Sequence, residues 1–227
     1  MSFHIITQSR YSSSRLPAKI FLNFDNENFF TFFLKNLKSI GITKLIVASP
    51  KDQYSDIIAY HCKKIKVPVF FYEGDVNNVL ARYYFCAKKF KSKNIIRITS
   101  DCPFINPYMI LEMIDYYKKK KLNFLTNNKP RKIPHGFDCE IFSFKLLKKA
   151  FNFAKNKYDL EHVTPWFYKN CFEKKNYHPI FNQDFSKIRL TLDTPNDYLR
   201  FIKLQKKLKK ISSTKNYKYI LKNLNKI

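Results

Sequence analysis

The sequence predicts an α/β fold with a mostly parallel central sheet, and two features carry this prediction. Short runs rich in β-branched and aromatic residues alternate with amphipathic segments of helical length through the first half. Strands that alternate with such helices form right-handed βαβ units, whose strands run parallel. The second half breaks the alternation, so we expect a mixed sheet there. In sheets of this kind, ligands bind beyond the carboxyl ends of the strands.

Four strands and four helices are predicted in the first half. The expected strands are Phe3–Thr7, Lys44–Ser49, Val67–Tyr72 and Asn94–Thr99. The expected helices are Asn28–Ser39, Gln53–Ile65, Val79–Phe90 and Pro107–Lys120. Polar or turn residues bound each strand, and the helical segments gather their apolar residues on one side.

The second half contains further candidates for both kinds of element. The strand candidates are Asn123–Thr126, Phe137–Phe142, His178–Phe181 and Arg189–Leu192, with a basic loop, Asn127–His135, between the first two. The helix candidates are Phe144–Lys155, Leu160–Asn170, Asn196–Lys209 and Tyr217–Leu224. No linker or internal repeat interrupts the pattern, so we expect one domain over residues 1–227.

The chain carries a formal charge of +26, from 43 Lys and Arg against 17 Asp and Glu among 227 residues. A charge of this size is typical of nucleic-acid-binding proteins. However, 36 of the cations are lysines, Asn, Ile, Phe and Tyr are abundant, and Gly and Ala are scarce. A/T-rich codons encode the abundant residues. Genome composition therefore explains the charge better, with lysines spread over solvated faces.

Composition also argues against other broad classes. Hydrophobic residues make up 45% of the chain, too much for a disordered polyelectrolyte. No apolar run reaches the about 18–20 residues of a membrane span, and the N-terminus lacks a signal-peptide pattern. The five cysteines form no CxxC pair, which argues against a zinc site or a disulfide framework. We expect a cytoplasmic protein without a membrane or nucleic-acid partner.

The loop after the first predicted strand, Gln8–Lys19, carries the strongest chemical signal. It holds the cations Arg10, Arg15 and Lys19 together with three consecutive serines, Ser12–Ser14. Hydroxyls and backbone amides beside fixed cations form a cradle for a polyphosphate. The glycine patterns of Walker and dinucleotide-binding loops are absent. A solvated loop with incidental cations is the alternative interpretation.

Two predicted strands are followed by an aspartate, and each aspartate by a proline two residues later. Asp101 precedes Pro103, and Asp193 precedes Pro195. Carboxylates at strand ends, facing a phosphate-binding loop, suit a magnesium ion that also binds water and phosphate oxygens. Each aspartate alone is explained equally well as a helix cap or turn residue. The two carboxylates together with the cationic loop predict a Mg²⁺ site at Asp101 and Asp193.

Six motifs stand in the order in which one enzyme family has them. They are Arg10–Lys19 (RYSSSRLPAK), Asp75–Val76 with Leu80–Tyr84 (LARYY), Arg97–Pro103 (RITSDCP), Gly136–Ser143 (GFDCEIFS), Glu161–Pro165 (EHVTP) and Arg189–Pro195 (RLTLDTP). In these residues the chain resembles the cytidylyltransferases of the spore-coat polysaccharide biosynthesis type, which belong with the acylneuraminate and 3-deoxy-manno-octulosonate cytidylyltransferases. The resemblance covers roughly residues 3–205 and implies the Rossmann-like nucleotide-diphospho-sugar transferase fold.

The resemblance implies a Mg²⁺-dependent transfer of CMP from CTP to an acceptor oxygen, with release of pyrophosphate. It makes Arg10, Lys19 and Asp101 the expected catalytic residues, and Asp101 and Asp193 the expected ligands of Mg²⁺. The expected nucleotide-binding residues are Gln8, Ser9, Arg10, Ser13, Arg15, Lys19, Arg82 and Ser100. Such a transfer depends mainly on positioning and charge neutralisation, which agrees with a site of two aspartates and several cations.

Two positions depart from the family pattern. Ala18 stands where the family usually has glycine, and Ser100 where a glycine commonly precedes the aspartate. Alanine is tolerated unless the backbone needs a positive φ, so the tightness of the loop depends on that angle. The serine adds a hydroxyl that can donate to the triphosphate.

The resemblance also predicts a small acidic or phosphorylated sugar-like acceptor. The candidate acceptor-binding residues are His135, Asp138, Glu140, His162 and Arg189. A structural histidine and a structural ion pair are the alternative interpretations of His162 and Arg189. Residues about 123–182 are the expected acceptor and dimerisation subregion, and residues about 196–227 the basic C-terminal helices. We expect a homodimer, with Asn123–Phe142 the first segment to test.

Two other functions stay open at this point. An enzyme of the same fold would transfer another nucleotide, from UTP, GTP or ATP. A basic nucleic-acid-binding protein without catalysis would use the +26 charge and the abundant Tyr and Phe, which stack on bases. The absence of an RNA-recognition or zinc-finger signature in the sequence argues against the second.

Overall fold

The computed structural model of the chain describes residues 2–41, 44–171, 174–176 and 184–224. The strands are β1 (Phe3–Gln8), β2 (Asn23–Phe24), β3 (Glu27–Asn28), β4 (Lys44–Pro50), β5 (Val69–Tyr72), β6 (Asn94–Thr99), β7 (Phe124–Thr126), β8 (Glu140–Ser143) and β9 (Lys174–Asn176). The helices are α1 (Phe29–Lys38), α2 (Ser55–Lys64), α3 (Val79–Lys89), α4 (Pro107–Lys119), α5 (Phe144–Phe153), α6 (Lys157–His162), α7 (Pro165–Asn170), α8 (Pro195–Lys203), α9 (Gln205–Ser213) and α10 (Tyr217–Leu224). A short 3-10 helix spans Lys19–Phe21.

The central sheet has the strand order β5-β4-β1-β6-β8-β7-β9 within the described part of the chain. Strands β5, β4, β1 and β6 run parallel, β8 is antiparallel to both of its neighbours, and β9 pairs in parallel with β7. This confirms the mostly parallel α/β sheet with a mixed second half. The strand order reverses at β1, which has β4 on one side and β6 on the other. Open α/β sheets bind ligands beside such a reversal.

Hydrophobic cores lie on both faces of the sheet. Of two adjacent residues of β1, Ile5 belongs to the core shared with α1 and α4, and Ile6 to the core shared with α3 and α5. Both isoleucines are completely buried. Burial on both faces explains why the parallel strands have nearly continuous apolar sequences instead of alternating ones. Polar site residues are consequently placed at the edge of the sheet, where the strands end.

The predicted elements of the first half are confirmed, with boundaries that differ by no more than two residues. Helices α1, α3 and α4 begin at asparagine caps, because the side chains of Asn28, Asn78 and Asn106 accept backbone N–H bonds of the first helical turn. Among the described residues, the structure has no helix long and apolar enough to cross a membrane.

Two predicted helices of the second half are wrong, because each is interrupted. The segment Leu160–Asn170 contains the end of α6 and all of α7. Val163 has a left-handed backbone, with φ 69°, and Pro165 has no N–H with which to continue the first helix. The segment Asn196–Lys209 is divided between α8 and α9, where Leu204 leaves the helical conformation.

The predicted strand Phe137–Phe142 is too long, since β8 starts only at Glu140. The preceding backbone bonds to a side chain instead of a strand. Asn127 donates to the carbonyl oxygen of Phe137 at 2.8 Å and accepts from the N–H of Cys139 at 3.0 Å. The predicted strand at residues 178–181 lies outside the described residues.

The predicted strand Arg189–Leu192 is wrong, because this extended segment does not join the sheet. Its backbone bonds go to two different loops. The N–H of Leu190 donates to the carbonyl oxygen of His135 at 2.7 Å, and the N–H of Leu192 to that of Asp101 at 2.9 Å. A segment divided between two loops forms no continuous ladder. These bonds bring the second predicted metal ligand beside the first.

Gly136 permits the close crossing of this segment. Its φ is +99°, and a Cβ at this position would lie 2.6 Å from the carbonyl carbon of Leu190. The backbone angle and the contact both require glycine.

We expect Gly136→Ala to lower the free energy of unfolding by about 2–4 kcal/mol, because it adds left-handed strain and a steric clash. Gly41→Ala is the matched control, since Gly41 has φ +76° but the nearest atom to an added Cβ is 3.9 Å away. Urea denaturation measures both variants. Equal losses in the two would contradict a tight crossing at Gly136.

Candidate active site

A cleft of about 370 Å³ opens at the carboxyl ends of β1 and β6, beside the reversal of strand order. Its walls are the loop after β1, the turn before α3, the residues after β6 and the end of α6. The sequence-predicted site residues that line it are Gln8, Ser9, Arg10, Ser13, Arg15, Lys19, Arg82, Ser100, Asp101, His162 and Asp193. The cationic loop, both predicted metal ligands and one acceptor candidate therefore share one cavity.

The two predicted metal ligands, Asp101 and Asp193, both lie within ion-pair distance of Lys19. The Lys19 ammonium lies 2.8 Å from Asp193 Oδ1 and 3.6 Å from Asp101 Oδ2. Only 14% of the Lys19 side chain and 11% of the Asp193 side chain are exposed, so this contact is shielded from water. The two carboxylates converge on one cationic position, which is the arrangement expected of carboxylates that share a metal ion. No cluster of three or more His, Cys, Asp or Glu side chains suited to a metal occurs among the described residues.

Asp193 is surrounded by cations. Besides Lys19, Arg15 lies 3.3 Å from Asp193 Oδ1 and Arg189 lies 2.5 Å from Oδ2. Burial alone would raise the pKa of the Asp193 carboxyl. The hydrogen bond and charge of Lys19, with the charges of the two arginines, outweigh burial and lower this pKa below its ordinary value. Asp193 is therefore ionised at neutral pH, as a metal ligand must be.

Neither aspartate is used as a helix cap. Helix α8 is capped by Thr194, whose hydroxyl accepts a bond from the N–H of Asp197 while the Asp197 carboxylate accepts one from the N–H of Thr194. Helix α4 is capped by Asn106. The helix-cap interpretation of Asp101 and Asp193 is thus excluded, but Asp101 does lie in the turn that follows β6. Both aspartates line the cleft.

Ala18 has a left-handed backbone, with φ 53° and ψ 21°. This is the conformation for which a glycine, the residue usual in the family at this position, is best suited. The 3-10 helix follows directly, so this turn precedes the residue whose side chain reaches both carboxylates. A left-handed backbone costs an L-residue about 1–2 kcal/mol. The loop is therefore as tight as it would be with glycine, and alanine occupies it at the expense of stability.

Arg82 is a buried arginine that pairs with no described carboxylate. It lies in the first turn of α3, is 1% exposed and lines the cleft. One of its terminal nitrogens donates to the carbonyl oxygen of Val76 at 2.5 Å, while its Nε has no hydrogen-bond partner among the described residues. Burial lowers the pKa of Arg82, but a guanidinium stays protonated at neutral pH. A buried cation of this kind suits an anionic ligand.

Three side-chain oxygens at the end of β1 are also buried without hydrogen-bond partners among the described residues. One is Thr7 Oγ1, and the other two are Gln8 Oε1 and Ser9 Oγ. Most buried polar atoms in proteins are hydrogen-bonded, so such exceptions need an explanation. Gln8 and Ser9 line the cleft, at the point where the resemblance implies nucleotide contacts, whereas Thr7 does not.

Arg97 lines the same cleft, although the motif that contains it gave it no role. It lies on β6 opposite Glu140 on β8 and donates to Glu140 Oε2 at 2.7 Å. Tyr168 on α7 donates to the other carboxylate oxygen at 2.8 Å. Burial acts to lower the pKa of Arg97, but the charge and hydrogen bond of Glu140 raise it overall. The signal available in the sequence was charges of opposite sign in two predicted strands, Arg97 in Asn94–Thr99 and Glu140 in Phe137–Phe142.

The other acceptor candidates lie outside the cleft lining. Glu140 is 2% exposed and lies behind the cleft wall, bonded to Arg97. Asp138 accepts bonds from Arg131, from the Asn128 amide and from the N–H of Gly136. Burial alone would raise the pKa of Asp138, but the bonds and charge of Arg131, with the other two donors, lower it. Asp138 therefore organises the loop between β7 and β8.

His135 and Arg189 lie side by side at the crossing of this loop with the C-terminal segment. His135 is largely exposed, but part of its ring is shielded from water. This partial desolvation, with the charges of Arg131 and Arg189, lowers its pKa, and the charge of Asp138 opposes the shift. Arg189 contacts Asp193 and also Asp197, at 3.5 Å. A role of either residue toward the acceptor stays a prediction.

We expect Glu140→Gln to lower the free energy of unfolding by about 3 kcal/mol, because it leaves the Arg97 guanidinium buried without its counter-charge. The double variant Arg97→Met/Glu140→Leu recovers much of this loss, since an apolar pair replaces the ion pair. Glu27→Gln, which breaks the more exposed Lys35–Glu27 pair, is the control and costs less than about 1 kcal/mol. Chemical denaturation measures all three. Equal losses for Glu140→Gln and Glu27→Gln would contradict this role.

Comparisons with known proteins agree with this geometry. The chain matches the cytidylyltransferase family over residues 4–226. A solved cytidylyltransferase from Leptospira borgpetersenii serovar Hardjo-bovis is 33% identical, with a TM-score of 0.82 over 89% of this chain and 85% of that one. The spore coat polysaccharide biosynthesis protein SpsF of Bacillus subtilis is 25% identical over 211 residues, which are 85% of this chain and 82% of that protein.

A more distant solved structure shares the fold. CMP-2-keto-3-deoxy-manno-octonic acid synthetase in complex with CTP is 13% identical, with a TM-score of 0.70 over 91% of this chain and 99% of that one. The family match spans almost the whole chain, and its motifs meet in one cleft. The chain therefore belongs to the cytidylyltransferase family and is a nucleotidyltransferase.

Proposed function

We propose that this enzyme transfers CMP from CTP to a sugar acid, a sugar phosphate or a related surface-glycan precursor, in a Mg²⁺-dependent reaction that releases pyrophosphate. The observation that carries the proposal is the single cleft in which the cationic loop faces two convergent carboxylates. The name of the Bacillus subtilis relative supports a surface-glycan product. The CTP complex of the distant neighbour supports CTP as the nucleotide.

The reaction requires that one phosphorus exchanges one oxygen partner for another. An acceptor oxygen attacks the α-phosphorus of CTP and forms a new P–O bond. The bond from this phosphorus to the oxygen that bridges to the β-phosphate breaks, pyrophosphate leaves, and the acceptor hydroxyl releases its proton to water. Little covalent chemistry is asked of the protein, so positioning and charge stabilisation supply most of the rate enhancement.

The loop after β1 holds the triphosphate in this proposal. Arg10 and Lys19 bind phosphate oxygens, with Ser13 and Arg15 as further donors. Cations and hydroxyls fixed in advance stabilise the charge that develops on the leaving pyrophosphate without having to reorganise during the step. The Ser100 hydroxyl, at the end of β6, adds a donor on the opposite wall of the cleft.

The base and ribose contact the deeper part of the cleft. The backbone and side chains of Gln8 and Ser9 meet the cytosine, and their unpartnered buried oxygens support this position. Arg82, which pairs with no described carboxylate, lies near the nucleotide and adds a buried positive charge.

Asp101 and Asp193 hold the metal. Two carboxylates leave most coordination positions to water and phosphate oxygens, which is the usual arrangement for Mg²⁺ at nucleotide sites. When bound, the ion neutralises phosphate charge and orients the α-phosphate for attack.

His162 is the acceptor candidate that the cleft geometry favours, since it lines the cavity next to Glu161 at the end of α6. The remaining acceptor candidates would shape the acceptor-binding end of the cleft from the loop between β7 and β8, from the start of β8 and from residues 189–192, which cross this loop. They are His135, Asp138, Glu140 and Arg189. A homodimer that uses Asn123–Phe142 is part of the proposal, and sedimentation of the full chain tests it.

The proposed activity is tested by pyrophosphate release with CTP, Mg²⁺ and a panel of sugar acids and sugar phosphates. We expect Asp101→Asn to lower kcat by about 10²–10³-fold, because it removes a charge that acts at the reacting phosphate. Asp115→Asn, at an exposed aspartate of α4, is the matched control and keeps full activity. Full activity of Asp101→Asn would refute the assigned site.

The nucleotide is identified by comparing how CTP, UTP, GTP and ATP raise the melting temperature at equal concentration with Mg²⁺. A ligand at about 100 times its Kd stabilises the folded state by about 2.7 kcal/mol, so a preferred nucleotide is readily detected. We expect the largest shift with CTP. A larger shift with ATP or GTP would overturn the choice of cytidine while leaving the nucleotidyltransferase assignment intact.

A further inference from the structure

We propose that Lys19 is an exchangeable cation that couples metal binding to nucleotide binding. Its ammonium neutralises Asp101 and Asp193 in the arrangement that the structure has. It leaves this position for the triphosphate when a metal ion bridges the two carboxylates. The inference rests on the proposed function, because it takes these carboxylates as the metal ligands. It adds a second position for Lys19 and makes the binding of each ligand depend on the other.

The contacts of Lys19 distinguish it from the other cations of the cleft. Its ammonium lies within 4 Å of both carboxylates, at 2.8 Å from Asp193 Oδ1 and 3.6 Å from Asp101 Oδ2. Arg15 and Arg189 also reach Asp193, but neither forms an ion pair with Asp101. Lys19 therefore occupies the place between the two carboxylates, whereas the arginines lie at its periphery.

The ammonium and a divalent metal exclude each other at this place. Mg²⁺ binds oxygen ligands at about 2.0–2.1 Å, and the ammonium already lies 2.8 Å from one of the oxygens in question. The side chains of Asp193 and Lys19 are 11% and 14% exposed and that of Asp101 is 32% exposed, so the two cations would repel each other at a place that is only partly screened by water. A metal ion that binds both carboxylates consequently displaces the Lys19 side chain.

The ammonium of Lys19 can move to a second position while its backbone stays in place. It begins the 3-10 helix directly after the left-handed turn at Ala18, which fixes the backbone. A lysine carries its charge as a point at the end of a flexible four-carbon stem, whereas an arginine binds through a planar fork. Arg10 and Arg82 line the same cleft and attract a triphosphate, whose oxygens accept hydrogen bonds from an ammonium.

The exchange makes the two ligands cooperative. A triphosphate that binds Lys19 frees the carboxylates for the metal, and a metal at the carboxylates frees Lys19 for the triphosphate. Such coupling is reciprocal by thermodynamic necessity. Removing the Lys19 charge therefore has opposite effects on the two separate binding reactions: the metal alone binds more tightly, and metal-free CTP binds more weakly.

The test measures the two binding reactions separately, with Mn²⁺ as the metal probe. Free Mn²⁺ is quantified by its paramagnetic resonance signal in the absence of nucleotide, and CTP binding is measured by calorimetry in the presence of EDTA. For Lys19→Met we expect the Kd of Mn²⁺ to fall by about tenfold and the Kd of CTP to rise by a similar factor. Melting curves establish that the variant is folded.

Three further variants act as controls. Lys19→Arg keeps a cation between the carboxylates, so Mn²⁺ binds no more tightly than to the wild type. Arg15→Gln removes a cation beside Asp193 but leaves the Lys19 ammonium between the two carboxylates. It therefore tightens Mn²⁺ binding less than Lys19→Met does. Lys35→Met removes a lysine from a distant ion pair with Glu27 and leaves both Kd values unchanged.

The outcomes separate this inference from the proposed function. Suppose that the wild type binds Mn²⁺, that Asp101→Asn abolishes this binding, and that Lys19→Met binds Mn²⁺ no more tightly than the wild type. The proposed exchange of Lys19 is then wrong, while the metal site at Asp101 is supported. Equal tightening by Lys19→Met and Arg15→Gln would also overturn the exchange, since general charge removal would explain it. If no variant binds Mn²⁺ through Asp101, the metal site of the proposed function fails.

Discussion

The ionised carboxylate of Asp193 is the group on which the cleft depends. Lys19, Arg15 and Arg189 all bond to it, and the bond to Lys19 joins residues 174 positions apart in the chain. Without this negative charge, Lys19 would keep only Asp101 and Arg189 only Asp197, while Arg15 would have no carboxylate partner among the described residues. The carboxylate thus keeps the N-terminal loop against the C-terminal segment before any ligand is considered. Its position as a proposed metal ligand follows from the same geometry.

Two arginines that line the cleft, Arg82 and Arg97, differ in how their charges are satisfied, although the Nε of each has no hydrogen-bond partner among the described residues. Arg97 has a carboxylate partner in Glu140, so the pair forms part of the wall and its charge is balanced within the protein. Arg82 is more completely buried and has only the carbonyl oxygen of Val76 as a partner among the described residues. A cation in this condition is costly unless a ligand supplies the anion. The net charge of +26 does not reveal this distinction, because most of it belongs to lysines outside the cleft.

Elements defined by local periodicity were predicted well, and elements defined by their partners were not. The helices α1, α2 and α4 each bury one face, whereas α3 is buried on most sides of its first turns. Three of the four begin at an asparagine that can cap only its own helix. In contrast, the apolar residues of Arg189–Leu192 fit a strand, but their backbone bonds go to loops at His135 and Asp101. The break in the predicted helix Leu160–Asn170 did have a local signal, since Pro165 cannot continue a helix. Only the positive φ of Val163 could not be expected, because β-branched residues rarely adopt it.

The sequence by itself determined the alternation of the first half, the cations and serines of the loop after β1, and the placement of Asp101 just after a strand, because residue type and short spacing carry that information. Only the tertiary structure decided which groups meet. It placed Lys19 between Asp101 and Asp193, put Arg97 in the cleft wall, and kept Asp138 and Glu140 out of the cavity lining. The physical reason is that a charge acts through distance and burial. Both are set by strand order and by the crossing at Gly136, which no local pattern contains.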